Sequence, residues 1–401
     1  MSKSVGNFIM LHEAVSGNRE AIIGGKHVTI GWGADATRFT CADAGDTLED
    51  SNFSCDTANN IILRLTTELD FIRSIYHVRD DGFAGPNWSS DHFLDLRRTT
   101  EKDYNFHDKA FKNKINYNVD QAKIGYESMR FRDALKFGFF NLQSCRDTYR
   151  DACTKLGIPM HETLIKDFII KQLIILSPIC NHFCEYAWRA ILKKEGSVTN
   201  QNWPESEPVD VPLMRVADFL EGLIQKARKT LLELQGKRVK STKGSKGSSI
   251  KDPQQQNEAV SGKETLVVLV SEEYPRWKKI LLEFTANLYD PLEKKGVPTA
   301  MKQLKQFCVD HPELKTMVKK AMQVGSFILK RSEIEFERAF EQIVPFNQRQ
   351  VLEENKAYFT LAVGVEKVCF ENADDNIAKE DKSIAQAAAE AEPGNPSYVF
   401  V

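Results

Sequence analysis

The sequence lacks any long apolar run. Its most apolar stretch, residues 168–180, is interrupted by Lys171 and Gln172. That is too short and too polar for a helix across a bilayer, which needs about 20 apolar residues. No apolar core follows the first few residues, so nothing there reads as a secretory leader. Charge of one sign is lacking too: 54 Lys and Arg face 56 Asp and Glu, a formal net charge of −2. The chain is no polycation, and a nucleic-acid surface would have to come from local clustering of cations. The eight cysteines are scattered, which favours reduced thiols over a disulfide framework. No internal repeat is visible. These absences lead us to expect a soluble cytoplasmic protein with no membrane partner, and the 401 residues suggest two to three domains.

What is present is mostly helical patterning. Glycines punctuate residues 1–50, which read as irregular. Ile61, Leu65, Leu69 and Ile72 then recur every three to four residues, as a helix with one buried face requires. Residues 120–150 read as one helix, stopped by Gly157-Ile158-Pro159. Residues 161–176 form another, Pro178 breaks it, and residues 182–194 continue the bundle. Three prolines mark a loop over 196–212, and residues 213–234 are again amphipathic. Residues 236–251 are rich in Gly, Ser and Lys with no acidic residue, a composition that cannot build a core and suits a mobile linker.

Beyond the linker the pattern changes. Residues 265–270 are β-branched and strand-like. A helix is predicted near 277–289 and two more between 299 and 340. Residues 358–363, 366–370 and 397–401 read as strands, with Gly364 as a bulge or tight turn. The expected fold class is mainly α: a helical bundle followed by a small α+β domain. The expected divisions are a short N-terminal remnant (1–50), the bundle (51–212), a connecting helix (213–235), a basic linker (236–263) and the α+β domain (264–401).

Several chemistries are considered and set aside. Cys180, His182 and Cys184 resemble half of a metal site, but no second ligand pair lies near, and the two cysteines suit the buried face of a helix. No structural metal is expected. Glu371, Asp374 and Asp375 lack the Gly and terminal Glu of a calcium loop. His77, His107 and His161 sit in no nucleophilic arrangement.

Met1-Ser2-Lys3-Ser4 offers a different possibility. A loop of small hydroxyl residues around a lysine can close over a triphosphate, the ammonium offsetting charge as the phosphates separate. Ser2 and Ser4 could donate to phosphate oxygens. Four residues are a weak signal, but the sequence continues. Met1-Ser2-Lys3-Ser4-Val5-Gly6-Asn7-Phe8 resembles the Lys-Met-Ser-Lys-Ser loop of class I aminoacyl-tRNA synthetases with its Gly-Asn continuation. Ala34-Asp35-Ala36-Thr37-Arg38 resembles the segment that follows it. Ala42-Asp43-Ala44-Gly45-Asp46-Thr47-Leu48-Glu49-Asp50-Ser51-Asn52-Phe53 resembles a stretch of archaeal and eukaryotic leucyl-tRNA synthetases. Leu176-Ser177-Pro178-Ile179-Cys180-Asn181-His182 resembles a Leu-x-Pro-x-x-Pro-His segment of the class Ia helical domain, with Asn181 in place of Pro. Asn202-Trp203-Pro204 resembles the Trp-Pro beyond it.

The resemblance implies the C-terminal part of a cytosolic, archaeal/eukaryotic-type leucyl-tRNA synthetase of class Ia, with residues 1–50 as a catalytic-domain remnant holding the loop and a stem-contact region, an anticodon-binding-type bundle, and residues 264–401 as a C-terminal α+β tRNA-binding domain. It implies ATP, with Mg2+, as the nucleotide, leucine and tRNA-Leu as the other substrates, and a multi-synthetase assembly as a further partner. Lys3 would act catalytically, with Ser2 and Ser4 beside it. The family loop starts with a Lys just before Met1, and neither a His-Ile-Gly-His signature nor the inserted editing domain occurs here. The reading is therefore of a fragment or shortened isoform, not expected to charge tRNA by itself. The alternative is a non-catalytic tRNA-binding or scaffold protein built from the same domains.

For RNA contact the sequence offers Arg130, Arg132, Lys136, Arg146 and Arg150 within one helical stretch, and Lys237, Arg238 and Lys240 in the linker. One reading is a basic strip against phosphates. The other is a solvated face paired with Glu127, Asp133 and Asp147. Asp35 and Arg38 are likewise open between a role in the loop's neighbourhood and an ordinary ion pair.

Overall fold

The computed structural model describes residues 9–17, 19–23, 26–45, 53–77, 98–242, 265–290, 295–296, 299–376 and 381–401, with backbone alone at 19, 21–23, 26–28, 236–242, 295 and 334. The chain divides into two compact units, Met1–Met214 and Arg215–Val401.

The first unit begins with α1 (Leu11–Ser16), an antiparallel hairpin of β1 (Arg19–Ile23) and β2 (Lys26–Ile30), and α2 (Gly33–Ala44). This region was expected to be irregular. The described glycines Gly17, Gly31, Gly33 and Gly45 instead sit at the ends of short elements. At Gly31, φ is +129° and a Cβ would lie 1.6 Å from the Gly17 carbonyl oxygen, so only glycine lets the two turns meet. Ala14, Ile30, Trp32, Ala36 and Phe39 then reach the core.

α3 (Cys55–Tyr76) follows, with Ser54 accepting from the Thr57 amide as its N-cap. Its buried face is Ala58, Ile61, Leu65, Phe71, Ile72 and Ile75, which takes in three of the four residues of the periodic set read from the sequence, while Leu69 is half-buried. Each Ile, Leu or Phe among them, fully buried, contributes roughly 1.5–3 kcal/mol. His77 ends the helix in the left-handed region.

α4 (Phe106–Glu127) opens with a capping box between Asn105 and Asp108. Residues 120–150 are not one helix. α4 stops at Glu127, Met129 adopts φ +56°, and the chain restarts as α5 (Phe131–Leu135), a π-helical turn (Lys136–Asn141) and α6 (Leu142–Leu156). The break folds α5 back onto α4 so closely that a Cβ on Gly125 would lie 2.7 Å from the Ala134 amide nitrogen. The wider turn buries Phe139 and sets Gly138 beneath Ile175. Gly157, in the left-handed region, caps α6.

α7 (Glu162–Leu176) is apolar on most sides, as a helix at the centre of a bundle must be: Ile165, Phe168, Ile169 and Leu173 are fully buried. After Pro178 come α8 (Asn181–Tyr186) and a second π-helical turn, Ala187–Ile191.

α9 (Val211–Thr242) carries helical backbone seven residues into the stretch expected to be linker. Lys237, Arg238 and Lys240 lie in that extension, and lysine and arginine are good helix formers.

The second unit holds a three-stranded sheet in the order β6-β3-β7. β3 (Thr265–Val270) is central, parallel to β6 (Lys367–Asn372) and antiparallel to β7 (Ser397–Phe400). Its unbroken run of Leu and Val is buried along almost all its length, as a covered central strand requires. Between β3 and β6 come α10 (Arg276–Ala286), the short hairpin of β4 (Tyr289–Asp290) and β5 (Lys295–Gly296), α11 (Ala300–Asp310), α12 (Val318–Glu335), α13 (Gln348–Glu354) and α14 (Lys356–Val363). α15 (Lys382–Glu390) precedes β7. Thus a helical bundle precedes a small α+β part, the expected fold class.

Residues 358–363 were expected to be a strand and are the end of α14. Short apolar runs fit either period. Here Tyr358 with Ala362, and Phe359 with Val363, fall four apart on the buried side. Gly364, at φ +87°, closes the helix instead of forming a bulge.

Candidate nucleic-acid interface

Two segments far apart in sequence meet in the first unit. The Asp35 carboxylate, on the first turn of α2, accepts from the Phe183 amide at 2.6 Å and lies 3.1 Å from His182 Nδ1. It thereby satisfies amides at the start of α8, a role that side-chain carboxylates fill well. Arg38 Nη1 lies 3.2 Å from Asp35 and donates to Asn181 Oδ1 at 2.8 Å. A proline at position 181 would offer no such acceptor. The ion pair of Asp35 and Arg38 is thus local, and it also ties α2 to α8.

Above this junction a groove of about 440 Å3 lies between Trp32, Ile62, Leu65, Leu69 and His182. Trp32 Nε1 donates to Asn59 at 2.8 Å and so fixes the wall of the groove. Nearby on the bundle, Arg73 donates to the exposed Tyr186 hydroxyl at 3.2 Å. Arg73 and Tyr186 escaped the sequence reading because 113 residues separate them and no local pattern joins them.

The basic strip divides into exposed and buried members. Arg130 is half-exposed and lies 3.4 Å from Asp133. Arg132 and Lys136 are exposed, with the Lys136 ammonium 5.1 Å from the Phe137 ring centre. Arg150 is half-exposed and lies 3.2 Å from Asp147. Arg146 is different. It is buried, paired with the buried Glu68, and its guanidinium sits 4.4 Å from the centre of the Phe71 ring. Gln143 donates to the same Glu68 carboxylate at 2.6 Å. Arg146 is therefore unavailable to a phosphate, and that part of the strip is corrected. A signal was present: Arg146 lies four residues after Leu142 and three before Tyr149, both buried. It shares the core face of α6.

A second buried polar cluster holds the start of α4. Asp108, fully buried, accepts from the Tyr149 hydroxyl at 2.5 Å and the Asn105 amide at 2.8 Å, and pairs with Arg98. Beside it, burial pushes the His107 imidazole down to about 4, against the opposing pull of Asp108. Cys180 and Cys184 are buried, and burial raises both thiols. Thiols held protonated in this way are poor nucleophiles and poor metal ligands. Among the described residues no cluster of three or more His, Cys, Asp or Glu could hold a metal ion.

Ser2, Lys3 and Ser4 lie outside the described residues. Lys237, Arg238 and Lys240 have described helical backbone only. Trp203, of the Trp-Pro segment, packs edge-on against Tyr126 with ring centres 5.7 Å apart.

Residues 108–244 match the anticodon-binding domain of tRNA ligase. The chain is 30% identical over 424 residues to the cytoplasmic leucine–tRNA ligase of Arabidopsis thaliana, covering 100% of this chain and 34% of that protein. It is 30% identical to the cytoplasmic leucine–tRNA ligase of Pongo abelii, over 100% of this chain and 29% of the relative. With the Saccharomyces cerevisiae enzyme of the same name the identity is 32%, over 72% of this chain and 22% of the relative. The chain spans about a third or less of the length of these relatives. No described helix is long and apolar enough to cross a membrane. From end to end this chain is similar to a C-terminal region of cytoplasmic leucine–tRNA ligases, and within it residues 108–244 match the anticodon-binding domain of tRNA ligase.

Proposed function

We propose that this chain is the tRNA-holding part of a leucine–tRNA ligase, working in the cytoplasm on tRNA-Leu. The observation that carries the reading is the anticodon-binding domain over 108–244 within a similarity that runs the length of the chain. Leucine has six codons, so no one anticodon marks all its tRNAs. Recognition by shape and phosphate charge fits that requirement better than base reading at the anticodon. Arg130, Arg132, Lys136 and Arg150 are the bundle's candidate phosphate contacts, joined by Lys237, Arg238 and Lys240.

The chemical part of the proposal concerns Met1–Phe8. Lys3 would stabilise the separating phosphates of ATP as leucine is activated, with Ser2 and Ser4 donating to phosphate oxygens and Mg2+ bound with the nucleotide. Its support is the loop's sequence and the kind of enzyme the relatives are named as.

The test is binding of labelled tRNA-Leu and of a non-leucine tRNA across a salt series. Tight binding that prefers tRNA-Leu and weakens steeply with salt is expected. Changing Lys237, Arg238 and Lys240 to Glu should lower the slope of log affinity against log salt by about one for each phosphate left without its cation. Equal, salt-insensitive binding of both tRNAs would overturn the reading.

A further inference from the structure

The second unit carries cations of another kind. Residues 299–331 hold seven Lys and Arg against two carboxylates, in a chain whose net charge is −2. Arg331 is committed, to Glu335 and to the Ala339 carbonyl. Lys320 lies over the Trp277 ring, 5.2 Å from its centre. Lys302, Lys305, Lys315, Lys319 and Lys330 form no ion pair among the described residues, and all five are exposed. Even Lys330, with Glu333 three positions on, makes no bridge within 4 Å.

The solvent face of α12 also shows order. Lys319, Gln323, Phe327 and Lys330 follow at intervals of four, four and three, which places them on one stripe. Phe327 is 62% exposed and has no ring partner among the described residues. The opposite side of α12 is already used: Ala321, Ile328 and Leu329 are buried in the unit's core. A large aromatic ring left in water between two free ammonium groups, beside an amide that can both donate and accept, is what stacking on a nucleobase needs. A membrane-surface helix would need a broad apolar face, and here a lone ring is offered.

We propose that this face of α12 is an RNA-docking surface, in which Phe327 stacks on an unpaired base while Lys319 and Lys330 hold the flanking phosphates. The two lysines are about 16 Å apart along the helix axis, the scale of a few nucleotides. The proposal rests on the tRNA reading above and takes the RNA to be an unpaired segment of that tRNA.

The experiment uses the 401-residue chain and labelled tRNA-Leu at several salt concentrations. Phe327→Ala should weaken binding about ten-fold with little change in salt slope, because stacking releases no counterions. Phe327→Tyr should restore it. Lys319→Glu with Lys330→Glu should weaken binding and reduce the slope by about two. Phe327→Trp should show fluorescence quenching on addition of tRNA. All four positions of the stripe are exposed, so thermal melts should match wild type. Wild-type binding left unchanged by every variant would sink this surface and leave the tRNA reading standing. No wild-type binding would sink both. Binding instead to phosphatidylserine vesicles, abolished by Phe327→Ala, would overturn the RNA assignment in favour of a membrane surface.

Discussion

The helices of the first unit and the α11–α12 pair of the second treat cations in opposite ways. In the bundle, five cations sit three or four residues from a carboxylate and pair with it: Arg130 with Asp133, Arg150 with Asp147, Lys155 with Asp151, Lys166 with Glu162 and Lys171 with Asp167. In α11, in α12 and between them, Lys302, Lys305, Lys315 and Lys319 have no acidic residue at those spacings. A paired surface cation adds at most a few tenths of a kcal/mol and presents a muted field. An unpaired one contributes nothing to the fold and keeps its charge for something outside it. Counting basic residues along a helix therefore misleads; what matters is which of them are already answered.

Arg146 puts the sharpest test on that distinction. Arg146→Met should destabilise the first unit by about 3–5 kcal/mol, read from urea unfolding, since Glu68 would keep a buried charge without its counter-ion. Binding of tRNA by the folded variant should be unaffected. A loss under 1 kcal/mol would mean Arg146 faces solvent after all.

A smaller effect is expected with pH. His107 titrates near 4 in the fold and near 6.5 when unfolded, so the unfolded state binds more protons between those values. Its contribution is whole above pH 6.5 and declines as pH falls toward 4. Allowing for partial exposure, the loss is on the order of 2 kcal/mol. The His107→Gln variant should flatten that limb of the stability profile, and an unaltered profile would remove His107 as its cause.

The least change is expected at the surface. Lys155→Gln in the bundle and Lys315→Gln beyond α11 should each move stability by under about 0.5 kcal/mol. Only the second should lower the salt slope of RNA binding, because Lys155 already shares its charge with Asp151. Equal slopes would erase the contrast between the two units.

Much of the first unit was legible. Ile61, Leu65 and Ile72 read as one buried face and are one, because a 3.6-residue period has to show wherever a helix buries a single side. β3 was equally plain, being β-branched, short and uninterrupted. The break between α4 and α5 was not, since Met129 in a left-handed conformation reflects the packing of Gly125 against Ala134, and neither residue announces a stop. At residues 358–363 the apolar run fitted both periods, and the choice fell to the surfaces on which it packs. Of the candidate contacts, Arg146 was misread for a related reason: burial of a charge depends on a partner 78 residues away.

The sequence by itself determined that this chain is mainly helical, that a small strand-bearing part follows the bundle, and which synthetases it resembles. Those properties are local: period, turn chemistry and ordered motifs survive without contacts. Tertiary structure alone decided which cations are answered and which are free, and that Asp35 reaches across 148 residues to the start of α8. Charge and hydrogen bonding act between neighbours in space, and only the packed fold says who those neighbours are.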